Sequence, residues 1–478
     1  MKRFAVALLI AFSALAQQTT PPAPAAPRDP KLPVPVEKTL ANGLRVIVVP
    51  KHDIPLVAAR LMVKNGAAAD PAGKDGLASL TATVLTQGTK TKSAEQIARG
   101  IEALGATLDA DASWDSSSID VSVMSSNLPK AMEFVADVAR NATFAQDEFD
   151  RERAQAIDAL QVDLQQPRTL ASVVASRLIF GEAPYGHNLG GTPASLGKIT
   201  RADVVKFHAA HYRPDNSVLV LAGDVKAEDA FKLAETSFGG WKKGTAPAAA
   251  ARETATPKSR VVVIDMPDAG QAGVVVGRQG IRRTDPAYMQ AIVTNSVLGG
   301  GYSARLNQEI RIKRGLSYGA NSSFDVRADV GPFTARTETK NESAAEVVGI
   351  ILGEMGNLSS ADVSEAELTP RKAVLIGGFA QSLESTAGIV NRISALALYG
   401  LPLSEINRYV SGVQAVTAAD VRKFAGSKLG SKDVNVVIVG DAKKFVEPLR
   451  KQFGEVEVIP VGELDLSSPT LRVRKAKG

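Results

Sequence analysis

The amino-acid sequence predicts an α+β protein made of two homologous units. An internal repeat is the first observation behind this: Thr200-x-x-Asp203-Val204-Val205-Lys206-Phe207 returns as Thr417-x-x-Asp420-Val421-Arg422-Lys423-Phe424, at an offset of 217 residues. Each copy runs into an apolar strand ending in Gly-Asp, Leu219 to Ala222 before Gly223-Asp224 and Val436 to Val439 before Gly440-Asp441, at the same offset. A third observation is size, since 478 residues with 45% hydrophobic content supply more than one packed core.

Taken in order, Met1-Lys2-Arg3, the apolar run Phe4 to Phe12 and Ser13-Ala14-Leu15-Ala16 have the three parts of a secretory signal peptide (residues 1–16), with cleavage expected after Ala16. The expected location is the periplasm or the exterior. The run is too short to anchor in a bilayer, and no later stretch is long and apolar enough to insert stably. Residues 17–36, with seven prolines between Pro21 and Pro35, read as an extended leader. A first unit is expected over 37–243, opening on the strand Arg45 to Val49. An Ala/Thr/Pro-rich linker follows over 244–258, then a second unit over 259–458 opening on Arg260 to Ile264, and a tail over 459–478. Thr-x-x-Asp is a helix-start signal in both units, and Ala94 to Leu104, Phe149 to Leu164 and Ala344 to Leu358 carry amphipathic helical periodicity.

Composition excludes several classes. With no cysteine there are no disulfides, thiolate nucleophiles, Cys-based metal sites or lipidated N-terminal Cys. Loss of Lys2 and Arg3 with the signal peptide lowers the formal charge from +6 to +4, and aromatic residues make up 5% of the chain, so nothing points to nucleic acid.

The segment Gly76-Leu77-Ala78-Ser79-Leu80-Thr81-Ala82-Thr83-Val84-Leu85-Thr86-Gln87-Gly88-Thr89 resembles the signature of the insulinase, pitrilysin and mitochondrial processing peptidase family, G-L-A-H-x-x-E-H-x-x-x-x-G-T. In that signature two histidines at i and i+4 grip zinc and a glutamate takes the proton of the bound water. On this frame Ser79 and Thr83 occupy the histidine positions and Ala82 the glutamate position. Helical geometry puts Leu77, Leu80, Val84 and Leu85 on one apolar stripe and Ser79, Ala82 and Thr83 on the opposite side. The family's distal ligand, in a run like E-R-x-x-x-x-x-E, maps through Glu152-Arg153 onto Ala159, with Asp158 one residue off the ligand direction. The resemblance therefore implies a degenerate member with no metal ligands and no catalytic residue at Ser79, Ala82, Thr83 or Ala159.

Further along, Tyr185-Gly186-His187 with Gly191-Thr192, and Tyr212-Arg213-Pro214-Asp215-Asn216, are similar to other family segments. So is Leu298-Gly299-Gly300-Gly301-Tyr302-Ser303-Ala304-Arg305-Leu306, which leads into Arg311-Ile312-Lys313-Arg314-Gly315-Leu316-Ser317-Tyr318. In the family an arginine and a tyrosine seven residues later hold the substrate backbone near the scissile bond, and Arg311 and Tyr318 have that spacing. The glycine-rich loop Gly299-Gly300-Gly301 lacks both the P-loop ending and the dinucleotide spacing, and reads as a hinge or a substrate-facing loop. Of the four histidines, His208 and His211 share a helix with no carboxylate on its face to complete a metal site. His52 and His187 read as turn residues.

The resemblance, over roughly residues 35–455, implies a processing-peptidase-like metallohydrolase fold whose halves form a clam shell. It also implies a chain without catalytic activity of its own: the non-catalytic subunit of a heterodimeric zinc endopeptidase. The zinc would then be the partner subunit's, held by an intact H-x-x-E-H, and this chain would bind the peptide substrate through Arg311 and Tyr318. A peptide-binding protein or a scaffold with the same fold is the alternative.

Overall fold

The computed structural model describes residues 32–245 and 257–473. The expected signal peptide, nearly all of the leader, most of the linker and the last five residues lie outside the described residues. The two homologous α+β units are present as two six-stranded mixed sheets. Strands β1 (Val36–Thr39), β2 (Arg45–Pro50), β3 (Leu56–Val63), β4 (Thr107–Ala112), β5 (Ser117–Met124) and β6 (Ser217–Gly223) are ordered β1-β2-β6-β3-β5-β4. Strands β7 (Val261–Asp265), β8 (Ala272–Gln279), β9 (Ser317–Phe324), β10 (Pro332–Thr339), β11 (Asn435–Gly440) and β12 (Glu457–Pro460) are ordered β12-β7-β11-β8-β10-β9. The parallel pair β2–β6 returns as β7–β11, and the antiparallel run β6-β3-β5-β4 returns as β11-β8-β10-β9.

The repeat breaks at one edge. In the first sheet the outer strand β1 precedes β2 and lies antiparallel to it, whereas in the second the outer strand β12 comes last and lies parallel to β7. This corrects the boundary expected at residue 458, which cuts β12. Beyond it the chain returns over the second unit, burying Leu471 completely, and Arg177 and Arg260 donate to the carbonyls of Leu466 and Pro469, each at 3.1 Å. Leu464, Leu466 and Leu471 supply the apolar area that holds this segment down.

The repeated Thr-x-x-Asp segments start helices Arg201–His211 and Ala418–Lys428 as reciprocal capping boxes. Thr200 N–H donates to Asp203 at 2.9 Å and Thr417 N–H to Asp420 at 2.9 Å, while each Thr hydroxyl accepts an amide in return.

The units are interlocked. Helix Pro167–Phe180 of the first unit packs Leu170, Val174 and Leu178 against β8 and β11 of the second sheet, and helix Thr386–Leu398 of the second unit packs Ile389 and Ile393 against β3 and β6 of the first. Gly273 permits the first contact, since a Cβ there would fall 2.5 Å from the backbone of Pro167. A polar latch joins the units again: Asp115 accepts from the Tyr185 hydroxyl at 2.6 Å, the Ala328 amide at 2.9 Å and the Tyr399 hydroxyl at 3.4 Å. Beside it the buried Arg327 stacks on Trp114 at 4.2 Å and pairs with Asp325.

Candidate functional site

The helix resembling the zinc-binding segment is Leu77–Leu85, and its first turn is firmly anchored. Gly76 caps it with a left-handed φ of 95°, and the buried Asp70 carboxylate accepts the amides of Gly76 at 2.7 Å and Ala78 at 2.8 Å. Burial pushes the Asp70 carboxyl up to about 8, against the pull of the helix amides.

On this helix Ser79 and Thr83 do not form a ligand pair. The Ser79 hydroxyl donates to the Leu189 carbonyl at 3.0 Å, tying the helix to the turn that follows Tyr185-Gly186-His187, and the Thr83 hydroxyl donates to the Ser79 carbonyl at 3.1 Å. Ala82 corrects the helical projection: it is 1% exposed and packed in the core cluster with Leu80 and Val84, because neighbouring elements close over that side of the helix as well as the apolar stripe. Ala159 and Asp158 are exposed on helix Gln146–Asp163, and Glu152 is buried and paired with Arg151 at 2.9 Å. Two hydroxyls already donating to backbone and two alanines do not fit a zinc ion. Among the described residues no group of three or more His, Asp or Glu side chains is placed to hold a metal.

Each histidine has a local partner. His208 Nε2 faces the Ala139 carbonyl at 2.9 Å, His211 packs on Phe207, and the His187 ring nitrogens face the carbonyls of Asn188 and Ala67. Burial lowers the pKa of all three. His52 Nδ1 lies 2.8 Å from Asp224, whose other oxygen accepts from Ser125 at 2.9 Å. The carboxylate therefore sits between serine and histidine, so the histidine cannot take the serine proton and no nucleophilic triad results.

A cavity of about 770 Å³, lined mostly by the second unit, brings together Arg311, Tyr318, Gly299 and Gly301. Arg311 sits on a π-helical turn, Gln308–Lys313, a form of helix common at functional sites. Its guanidinium lies between two rings, 4.8 Å from the centroid of Tyr318 and 5.0 Å from that of Tyr302. Tyr318 is 90% exposed and Tyr302 66%. Arg305, six residues earlier, forms a two-pronged pair with Glu367 at 2.8 Å through each nitrogen, whereas Arg311 makes no ion pair with a described residue. A stacked guanidinium keeps its in-plane N–H groups available for a carbonyl or carboxylate.

The glycine loop seals a sheet edge. A Cβ on Gly299 would fall 2.5 Å from the backbone of Ser322, and that close approach lets the Gly299 carbonyl accept the Ser322 amide at 3.0 Å. Asn307 accepts the Ala320 amide at 3.2 Å and donates to the Tyr302 carbonyl at 2.5 Å. Two amides that edge strand β9 turns away from β10 are thus engaged. Arg168, Tyr302 and Arg336 also line the cavity and were not identified as site residues from the sequence. Tyr302 was visible in the Gly-Gly-Gly-Tyr segment; Arg168 comes from the other unit and Arg336 from a central strand, so neither lies in a local pattern.

Two mixed sheets with exchanged helices, a degenerate ligand helix in the first unit and an arginine-bearing cavity lined mostly by the second define an M16-type peptidase fold without its metal site. The chain belongs to the insulinase family, peptidase family M16: the sequence profile of "Insulinase (Peptidase family M16)" matches residues 45–190 and that of "Peptidase M16 inactive domain" matches residues 198–375. It is 28% identical over 435 residues to an uncharacterized zinc protease of Mycobacterium tuberculosis, covering 90% of this chain and 99% of the relative. It is 24% identical over 402 residues to the non-peptidase homolog YmxG of Helicobacter pylori, covering 84% and 92%. The structure of a peptidase M16 inactive domain from Pseudomonas fluorescens superposes with a TM-score of 0.80 at 29% identity, covering 85% of this chain and 98% of that one. The chain is an inactive M16 homologue, which fits a non-catalytic role.

Proposed function

We propose that this chain is the non-catalytic, peptide-positioning subunit of a zinc endopeptidase, acting in the periplasm or outside the cell. Its partner is a second M16 chain with an intact H-x-x-E-H, which holds the only zinc of the pair. The observation that carries this reading is Arg311, stacked between Tyr302 and Tyr318 at the mouth of a cavity and free of any described carboxylate. Arg305, six residues earlier, is by contrast held by Glu367. The Arg311 fork suits a peptide carbonyl, and the Tyr318 hydroxyl suits an oxyanion forming at a carbonyl polarised by the partner's metal.

The engaged amides of β9 favour this grip over capture of a peptide by strand addition at that edge. The test is reconstitution with a candidate H-x-x-E-H chain, following peptide cleavage with wild-type and Arg311→Ala subunits. Equal cleavage by both, with assembly intact, would leave the scaffold reading instead.

A further inference from the structure

The cavity around Arg311 is electrostatically one-sided. Its charged lining consists of Arg168, Arg311 and Arg336 against the single carboxylate of Glu338. None of the three arginines forms an ion pair with a described residue. The chain as a whole is nearly balanced, with 56 basic and 50 acidic side chains, so this excess is local.

The three cations reach the cavity from different places. Arg311 comes from the π-helical turn, Arg336 from the inner strand β10, and Arg168 from the first turn of the helix that the first unit inserts against the second sheet. Arg336 is half-buried, and its side chain donates to the Thr334 hydroxyl at 3.0 Å. The nearby Asp325 is paired with Arg327 at 2.5 Å and forms no ion pair with Arg336. Burial lowers the pKa of Arg336, and the charge of Asp325 offsets only part of that effect. The first turn of helix Pro167–Phe180, its positive end, supplies Arg168 and Thr169 to the same lining. A guanidinium fork held by two rings, a half-buried arginine in no ion pair with a described residue and a third, exposed arginine are arranged to receive a carboxylate.

We propose that this cavity selects peptides by a carboxylate, either an Asp or Glu side chain or a free C-terminus, seated among Arg168, Arg311 and Arg336. The inference rests on the peptide-positioning reading and adds to it the substrate class: acidic segments are preferred and basic ones repelled.

The test is titration calorimetry on the full chain with end-blocked decapeptides differing at one central residue, Glu, Gln or Lys. A fourth peptide carries Gln and a free C-terminal carboxylate. The Glu peptide is expected to bind about tenfold tighter than the Gln peptide, the effect of one charge-assisted hydrogen bond, and the gap should narrow with added salt. The Lys peptide is expected to bind most weakly. The free-terminus peptide identifies the source of the carboxylate: tighter binding than its blocked counterpart assigns the terminus, and an advantage of Glu alone assigns the side chain. Arg336→Gln and Arg168→Gln should each bring the ratio of Glu- to Gln-peptide affinity from about tenfold most of the way to unity. If Arg336→Gln disturbs folding by circular dichroism, Arg168→Gln, on an exposed first turn, carries the test.

Equal affinities for all four peptides, or a preference surviving both substitutions, overturns the inference. Should that occur while cleavage by the reconstituted pair still depends on Arg311, only the selectivity fails and the positioning reading stands. A clear carboxylate preference alongside cleavage indifferent to Arg311 upholds the selectivity and sinks the catalytic-partner role.

Discussion

The guanidinium of Arg311 lies 4.8 Å from the ring of Tyr318, seven residues later in the chain. The first belongs to a π-helical turn and the second to edge strand β9, so the contact depends on the intervening turn through Gly315, whose φ is 61°. Arg311→Ala and Tyr318→Phe should each lower turnover by the reconstituted pair by about 10²- to 10³-fold, the usual effect of losing one oxyanion donor. Tyr318→Phe keeps the ring on Arg311 and removes only the hydroxyl. Size-exclusion elution of the pair should be unchanged in both variants.

Zinc binding should be absent from the purified chain and recoverable by substitution. Elemental analysis after dialysis is expected to find far less than one zinc per chain. Ser79→His, Thr83→His and Ala159→Glu together should restore tight binding, because both helix positions lie at or near the surface and Ala159 is exposed. Adding Ala82→Glu should lower stability, since Ala82 is 1% exposed and overpacking a core costs about 1–3 kcal/mol even before a carboxylate is buried. Failure of the folded triple variant to bind zinc would contradict the placement of these residues on the ligand frame.

The latch at Asp115 should make the two units unfold together. Asp115→Ala removes the acceptor shared by Tyr185, Tyr399 and the Ala328 amide, and should cost about 1.5–3 kcal/mol, as for hydrogen bonds to a charged group. Urea unfolding of the wild type should show one transition. Two separate transitions in the wild type would show that the exchanged helices and the latch do not couple the units.

Acid should weaken the fold through Asp137. Burial pushes this carboxyl up, but hydrogen bonds from Thr91, Asn141, Thr89 and Lys92 outweigh it and hold its pKa below the usual carboxylate value. With a folded-state pKa below the unfolded value of about 3.9, the contribution is complete above that pH and is lost as pH falls through the folded-state pKa. Asp137→Asn should therefore be less stable than wild type in urea at pH 7, and the gap should close as pH falls through the folded-state pKa, below the ordinary carboxylate value. A gap that stays constant with pH would mean that the charge of Asp137 adds nothing.

The buried histidines act in the same direction at higher pH. Burial keeps His187, His208 and His211 below the ordinary histidine value, so their neutral forms favour the fold above about pH 6.5 and stability declines as pH drops below it. His208→Phe should flatten part of the slope between about pH 6.5 and 5 in thermal melts. An unaltered slope would exclude His208 as a contributor.

Much of the architecture is local enough to be read from the chain. The capping boxes at Thr200 and Thr417 depend on residues three apart, and the strands ending at Gly223 and Gly440 on uninterrupted apolar runs, so both repeats are visible before any folding. The loss of the metal site is legible for the same reason, because serine, threonine and alanine at ligand positions remain poor or absent donors in any fold. What only the tertiary structure decided is what contacts across long separations decide. Ala82 lies in the core rather than on an open face because elements distant in sequence close over it. Residues 459–473 belong to the second unit because their leucines pack in the cluster that β7, β8 and β11 form with helix Pro167–Phe180. The exchange of helices Pro167–Phe180 and Thr386–Leu398 leaves no trace in periodicity, since a helix's apolar stripe is the same whichever sheet receives it. That exchange also carries Arg168 into a cavity of the other unit, beside Arg311 and Arg336. The charge of that cavity follows from residues more than a hundred positions apart, which no sequence window contains.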